Sequence, residues 1–218
     1  MSLLRKIKVM HTTLIMKHII IIFIGIVTSS CSDNSQLQPL DNNATVLAFG
    51  DSLTYGTGTS RDKAYPAVLE SLIHRRVINA GVPGEISKKG LARLPGLITQ
   101  YQPDLIILCH GGNDILRKLD ITQTKHNLQQ MINLAKQNNS QVLLIGVPEF
   151  GLFLNASPIY QSLADENRIP IENNILGDTL GKNTLKSDHI HLNAKGYQIV
   201  AEYIALLLKQ AGAITAIE

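Results

Sequence analysis

Along the chain, short runs of consecutive apolar residues alternate with longer segments in which apolar residues recur every three or four positions. The runs are Val46-Leu47-Ala48-Phe49, Val77-Ile78-Asn79-Ala80, Leu105-Ile106-Ile107-Leu108-Cys109 and Val142-Leu143-Leu144-Ile145-Gly146-Val147. Runs this short, with almost no polar alternation, read as strands covered on both faces, as in a parallel sheet. Three periodic segments between and after them read as helices. Residues 64–75 carry Pro66 in the first turn, where a missing N–H costs little. Residues 122–138 start at Thr122, a residue able to cap a helix, and repeat Leu128, Met131, Ile132 and Ala135 on one face. Residues 193–209 place Ile199, Val200, Tyr203, Ile204, Leu207 and Leu208 at helical spacing, and all six are expected to be buried. Strand and helix in alternation predict an α/β layered fold with right-handed crossovers, in which ligands collect at the carboxyl ends of the strands.

Residues 32–43 are polar, contain Gln36, Gln38, Pro39 and Asn42, and show no periodicity. The expectation is a tether over 31–44 followed by a single domain over 45–218. A chain of 218 residues with 44% hydrophobic content can bury one core of ordinary size, and its length calls for no second domain.

Residues 1–30 read as an export signal. Lys17 precedes the apolar run Ile19-Ile20-Ile21-Ile22-Phe23-Ile24-Gly25-Ile26-Val27, and the small residues Thr28-Ser29-Ser30 follow it. A spanning helix needs about 20 apolar residues, so the run is too short for one. Met16-Lys17 offers an alternative start. Val27-Thr28-Ser29-Ser30-Cys31 resembles a bacterial lipobox, with Thr28 where Leu is usual. That resemblance implies a lipidated Cys31 as the first mature residue and a periplasmic, membrane-associated protein of the bacterial cell envelope. Cleavage with free release and an uncleaved anchor are the alternatives.

Charge follows from this processing. The whole chain carries a formal +3, but removing residues 1–30 takes four of its 20 basic residues and none of its 17 acidic ones, leaving 16 against 17. Attraction to polyanions then has no basis, and 5% aromatics with no Trp leave little to stack on bases, so nucleic acid is not expected as a partner. Only two cysteines occur. Cys109, inside an apolar run, reads as a small core residue, and no disulfide framework is available.

The polar motifs fall at the strand ends. After the first strand stands Gly50-Asp51-Ser52-Leu53-Thr54-Tyr55-Gly56, a serine in a sharp strand-to-helix turn between glycines that permit close backbone approach. A serine after a strand is more often a helix cap, so this motif alone decides little. Asn79-Ala80-Gly81-Val82-Pro83-Gly84 follows the second strand and His110-Gly111-Gly112-Asn113-Asp114 the third. Each is explicable as a tight glycine turn. Together, the Gly81 N–H and the Asn113 side-chain amide would join the Ser52 N–H as an oxyanion hole. Ser187-Asp188-His189-Ile190-His191-Leu192-Asn193 precedes the last helix. A serine hydroxyl needs an imidazole to take its proton, and the imidazole needs a carboxylate to fix its tautomer. Asp188 and His191, three apart, let one turn supply both, although a loop aspartate and a helix-start histidine would explain them too.

These four blocks, Gly50 to Leu53, Gly81, Gly111 to Asp114, and Asp188 with His191, stand in the order of the GDSL, or SGNH, hydrolases. The chain resembles that family over nearly all of residues 45–209 and is similar within it to the acyl-CoA thioesterase I, lysophospholipase L1 and arylesterase group. The resemblance implies a flavodoxin-like three-layer α/β/α sandwich around a five-stranded parallel sheet. It also implies no cofactor and hydrolysis through an acyl-serine intermediate. Two positions depart from it. Where relatives often read Asp-Gly-Ile-His-Pro, this chain has Asp188-His189-Ile190-His191-Leu192, and His110 stands at a position that varies.

The expected reaction is hydrolysis of a small acyl ester or thioester, with Ser52, Asp188 and His191 catalytic, and no metal. His189 is read as a solvent-facing turn residue in preference to half of a His-x-His metal pair. Asp114 is read as a cap for the helix after Asn113, and Asp51 as a brace for the nucleophile turn. Phe150, Leu152, Phe153 and Leu154 follow the fourth strand and either line an acyl groove or pack as a core loop. A carbohydrate O-acetylesterase with the same triad and a non-catalytic acyl-binding lipoprotein are the competing functions. The sequence is silent on oligomeric state.

Overall fold

A computed structural model describes residues 36–149 and 154–215. The export signal and Cys31 lie outside the described residues. In chain order the elements are β1 (Thr45–Gly50), α1 (Ser52–Tyr55), α2 (Tyr65–Ile73), β2 (Arg76–Gly81), α3 (Ser87–Tyr101), β3 (Leu105–Cys109) and α4 (Gly112–Leu116). There follow α5 (Ile121–Gln137), β4 (Gln141–Ile145), α6 (Pro158–Asn167), β5 (Ile171–Glu172), α7 (Ile175–Leu180) and α8 (Ala194–Gln210). The five strands form one sheet in the order β2-β1-β3-β4-β5, with every pairing parallel.

The strand order places the site. β1 sits between β2 and β3, so the chain leaves β1 toward one edge and later crosses back toward the other. Right-handed crossovers in opposite directions put helices on opposite faces of the sheet. Accordingly α2 packs with α8, while α3 packs with α5 and α5 with α6. β1 and β3 are almost wholly buried, Val46, Leu47, Ala48, Phe49, Leu105, Ile106, Ile107 and Leu108 each at 1% exposure or less, as strands covered on both faces must be. The crevice where the strand order reverses opens at the carboxyl ends of β1, β2 and β3.

Four details differ from the sequence reading. First, the folded unit starts ahead of Thr45, and residues 37–44 are a packed strap, not a free tether. Leu37 and Leu40 are buried, and their N–H groups donate to the carbonyls of Ala211 and Ala213, both at 2.8 Å. Arg75 reaches the Leu40 carbonyl, and the Gln141 side chain bonds the Gln38 backbone. Second, α5 is capped by Asp120, whose carboxylate accepts from the N–H groups of Thr122 and Gln123; Thr122 lies inside the helix. Third, Tyr203 is 49% exposed, while Val200, Ile204 and Leu208 are buried and Ile199 and Leu207 are half-buried against the core. Fourth, the sequence pattern predicts none of α3, α6 and α7; in α3, Gly90, Pro95 and Gly96 break up the helical pattern, yet Leu94 and Ile98 bury its inner face.

Candidate active site

Three loops start level with one another, because Gly50 at the end of β1 is in register with Gly81 of β2 and with Cys109 of β3. Asp51 breaks from the strand and caps α1, its carboxylate accepting the Leu53 N–H at 3.1 Å. Ser52 is the first residue of α1 and half-buried, so its hydroxyl stands at the crevice with the orphan N–H of a helix start. α1 lies directly on β2. A Cβ at Gly81 would run into the Tyr55 nitrogen and come within 2.6 Å of the Thr54 carbonyl carbon, so only glycine lets these two backbones approach.

The turn before α8 brings the second group. One Asp188 oxygen accepts from the N–H groups of Ile190 (2.9 Å) and His191 (2.8 Å), folding the turn around the carboxylate. The other oxygen meets His191 Nδ1 at 2.8 Å, and His191 Nε2 lies 3.0 Å from Ser52 Oγ. An ionised carboxylate can only accept, so Nδ1 carries the hydrogen and Nε2 presents its lone pair to the serine. The slight burial of Asp188 opposes ionisation. The hydrogen bond from His191 and those from the two backbone N–H groups outweigh it and hold the carboxyl below its ordinary pKa of 3.8.

The two halves are clamped together. Tyr197, in the first turn of α8, donates its hydroxyl to the Thr57 carbonyl at 2.8 Å. Gly58, at φ +97°, lets the loop after α1 rest on the histidine turn; a Cβ there would strike the Ser187 hydroxyl and come within 2.5 Å of the Leu192 carbonyl. Sequence reasoning missed Tyr197, whose partner is 140 residues away.

Asn113, second residue of α4, enters from the third loop. Its Nδ2 donates to Asp51 Oδ2 at 3.2 Å, which fixes the amide and leaves its second N–H available. Asp51 thus braces two loops at once. Its carboxyl is buried, and burial pushes its pKa above 3.8 against the opposing pull of His110, Leu53, Asn113 and His191. The N–H of Gly81, the last residue of β2, donates to the Asn79 side-chain oxygen at 3.1 Å. Asp114 does not serve its own helix. It accepts from the Ser87 N–H (2.7 Å) and hydroxyl (2.6 Å), capping α3 from across the loop, with Thr124 and Asn127 completing a buried network.

Other expectations fall as follows. Cys109 is buried, and burial pushes its thiol well above the ordinary range, the opposite of an activated nucleophile. His189 is exposed, and no group of three His, Cys, Asp or Glu residues able to hold a metal occurs among the described residues. Phe150, Leu152 and Phe153 lie outside the described residues. Leu154 is half-buried against the core, its carbonyl beside Gly177 of α7. No helix among the described residues is long and apolar enough to cross a membrane.

Comparison with known proteins is consistent with this geometry. Residues 48–199 match the model of the GDSL-like Lipase/Acylhydrolase family. A thioesterase 1/protease 1/lysophospholipase L1 of Escherichia coli (strain K12) is 34% identical over 173 residues, covering 76% of this chain and 83% of the relative. An arylesterase of Vibrio mimicus is 29% identical over 174 residues, covering 73% and 86%. The crystal structure of TesA superposes with a TM-score of 0.69 at 28% identity, covering 77% of this chain and 99% of that one. With its sheet order, its strand-end loops and these matches, the chain belongs to the GDSL-like lipase/acylhydrolase family and is a hydrolase of ester bonds.

Proposed function

We propose that the protein hydrolyses small acyl esters and thioesters through an acyl-serine intermediate, with Ser52 as nucleophile, His191 as general base and acid, and Asp188 as its orienting partner. The observation that carries this reading is the unbroken chain from Asp188 Oδ2 through the His191 ring to Ser52 Oγ, with links of 2.8 and 3.0 Å. His191 Nε2 takes the hydroxyl proton as Oγ attacks the carbonyl carbon. The resulting oxyanion is met by the N–H groups of Ser52 and Gly81 and by the Asn113 amide. His191 then gives its proton to the departing alcohol or thiol, and water repeats the sequence on the acyl-enzyme. No step calls for a metal or cofactor.

Thioester, lysophospholipid and aryl-ester substrates are proposed from the names of the relatives, and the cell envelope as location from the leader and Cys31. A panel of 4-nitrophenyl esters and acyl thioesters of increasing chain length tests the reaction, with Ser52→Ala as control. A fluorophosphonate should label Ser52 in the native protein and not in the unfolded one. Ordinary turnover by Ser52→Ala, or a label on Cys109, would overturn the assignment. Intact mass of membrane-extracted protein tests the location: loss of residues 1–30 with added acyl groups supports it, and full-length cytoplasmic protein refutes it.

A further inference from the structure

Alongside these groups runs an ionic chain, with Glu85 and His110 buried and Arg93 half-buried, that Ser52, His191 and Asp188 do not touch. Arg93 of α3 holds Glu85 in a two-point pair, Nε to Oε1 at 3.0 Å and Nη2 to Oε2 at 2.7 Å, and its guanidinium lies over the Phe49 ring, 4.5 Å from the centroid. Glu85 Oε2 also meets His110 Nε2 at 3.2 Å. Burial opposes the Glu85 charge, but the hydrogen bonds from His110 and Arg93, with the arginine's charge, prevail and hold its pKa at about 2. The Gly111 N–H donates to His110 Nδ1 at 2.8 Å, so the ring carries its hydrogen on Nε2, directed at Glu85.

One end of this chain terminates on the peptide that carries one oxyanion donor, and the other on a peptide two residues before the second. Arg93 Nη2 also donates to the Ala80 carbonyl at 3.1 Å. That carbonyl and the Gly81 N–H belong to one peptide unit. At the other end, the peptide between His110 and Gly111 is pinned twice, its N–H by the His110 ring and its carbonyl by the Tyr160 hydroxyl at 2.8 Å. Asn113 follows two residues later.

We propose that Arg93 is a positioning residue for ester hydrolysis, acting through the Ala80–Gly81 peptide; the inference rests on the serine mechanism above. Its guanidinium fixes the plane of that peptide and, by drawing on the carbonyl oxygen, makes the N–H at the other end a stronger donor. The Asn79 side-chain oxygen occupies this N–H in the free protein, and a developing oxyanion displaces it, because charge-assisted bonds are roughly twice as strong as neutral ones. Glu85 aims the guanidinium, and His110 ties the same assembly to the Asn113 turn, setting the spacing between two of the three donors.

The test compares kcat and KM for a 4-nitrophenyl ester in three variants, with thermal unfolding as the check on folding. Arg93→Met alone would strand the buried Glu85 charge and risks unfolding, so the decisive variant is the double Glu85→Gln with Arg93→Met, which leaves no unpaired charge. The folded double variant should lose about tenfold in kcat with KM changed less than twofold, since the donor acts on charge that develops after binding. Glu85→Gln alone retains the Ala80 bond and should keep kcat within about threefold of the parent. Arg93→Lys, which can still reach one acceptor, should recover part of the loss. Unchanged kcat in a folded double variant, a loss confined to KM, or an equal loss in Glu85→Gln alone would overturn the assignment. Ser52→Ala separates the levels: if it stays active, the serine mechanism itself fails; if it is inactive while the double variant turns over normally, only the role of Arg93 fails.

Discussion

Asp51 and Asn113, 62 residues apart in sequence, meet at 3.2 Å, so the residue that caps α1 also holds the amide proposed as an oxyanion donor. Asn113 Nδ2 donates to Asp51 Oδ2, and the ionised carboxylate, with no hydrogen to give, holds the amide in that orientation. The arrangement is strained electrostatically, because the carboxyl is buried and its pKa is raised.

Replacing Asp51 by Asn separates the two consequences. A carboxyl raised in the fold favours its protonated form there, so its contribution to stability is present below 3.8 and lost as pH rises through the folded value. Asp51→Asn carries no charge to bury. It should melt no lower than the parent at pH 8, and the stability difference between the two should shift in favour of the variant between pH 4 and pH 8. Its kcat should fall by about tenfold, because a neutral acceptor grips the Asn113 amide about half as strongly. Parallel melting curves across that range would refute the electrostatic argument.

The triad should behave as one unit. Ser52→Ala and His191→Ala should each lower kcat by about 10⁴-fold or more, and the double variant should be scarcely worse than either single one. Additive losses would mean that the two side chains act separately. Asp188→Asn should cost on the order of 10²- to 10⁴-fold, because an amide can hold the imidazole in the wrong tautomer. Asp188 is depressed in the fold, so the stability it contributes is present above pH 3.8 and lost as pH falls through the depressed value; acid titration of the parent and of Asp188→Asn by circular dichroism should differ in that window.

Gly81→Ala tests the contact between backbones. The added methyl would meet the Tyr55 nitrogen and lie 2.6 Å from the Thr54 carbonyl carbon, neither of which is the end of a flexible side chain. α1 must shift, and Ser52 shifts with it. A displacement of about 1 Å at a reacting group costs roughly 100-fold, so kcat should drop by that order in protein that is still folded by far-ultraviolet dichroism. Near-normal turnover would show that α1 is free to slide.

Tyr197→Phe removes only the hydroxyl that reaches the Thr57 carbonyl. Loss of this part-buried hydrogen bond should cost about 1 kcal/mol in urea unfolding. Because that bond joins the loop after Ser52 to the helix after His191, kcat should fall a few-fold as well, and a stability loss with no change in kcat would assign Tyr197 to packing alone.

What the chain discloses in one dimension depends on whether the determinant is local. The buried runs at Val46 to Phe49 and Leu105 to Cys109 are local signals, and both became central strands. The blocks at Ser52, Gly81, Asn113 and Asp188 with His191 were legible because each lies beside a strand end or helix start, and the fold gathers such places. β5 was not visible as a pattern, since two residues, Ile171 and Glu172, carry no period; it entered only through the family resemblance. The strap escaped because Leu37 and Leu40 are lone leucines in a polar stretch, and their partners are the carbonyls beyond α8. Asp114 reads as a cap of its own helix because capping is ordinarily local, yet it caps α3 at Ser87, 27 residues earlier. Arg93, Glu85 and Tyr197 carry no signal, as a charged residue in a helix or in the turn before it and a tyrosine on an amphipathic face are commonplace until their partners are known.

The strap has a practical corollary for handling the protein. It runs along the amino ends of the strands, beside Gln141 at the start of β4 and the residues that follow α8, whereas Ser52 opens at the carboxyl ends, about 20 Å away along a six-residue strand. Residue 36 is therefore a rear handle. Coupling to a resin, sensor chip or fusion partner at this position leaves the mouth pointing outward, while a graft onto the loops after Ser52, Gly81 or Asn113 would stand in the doorway.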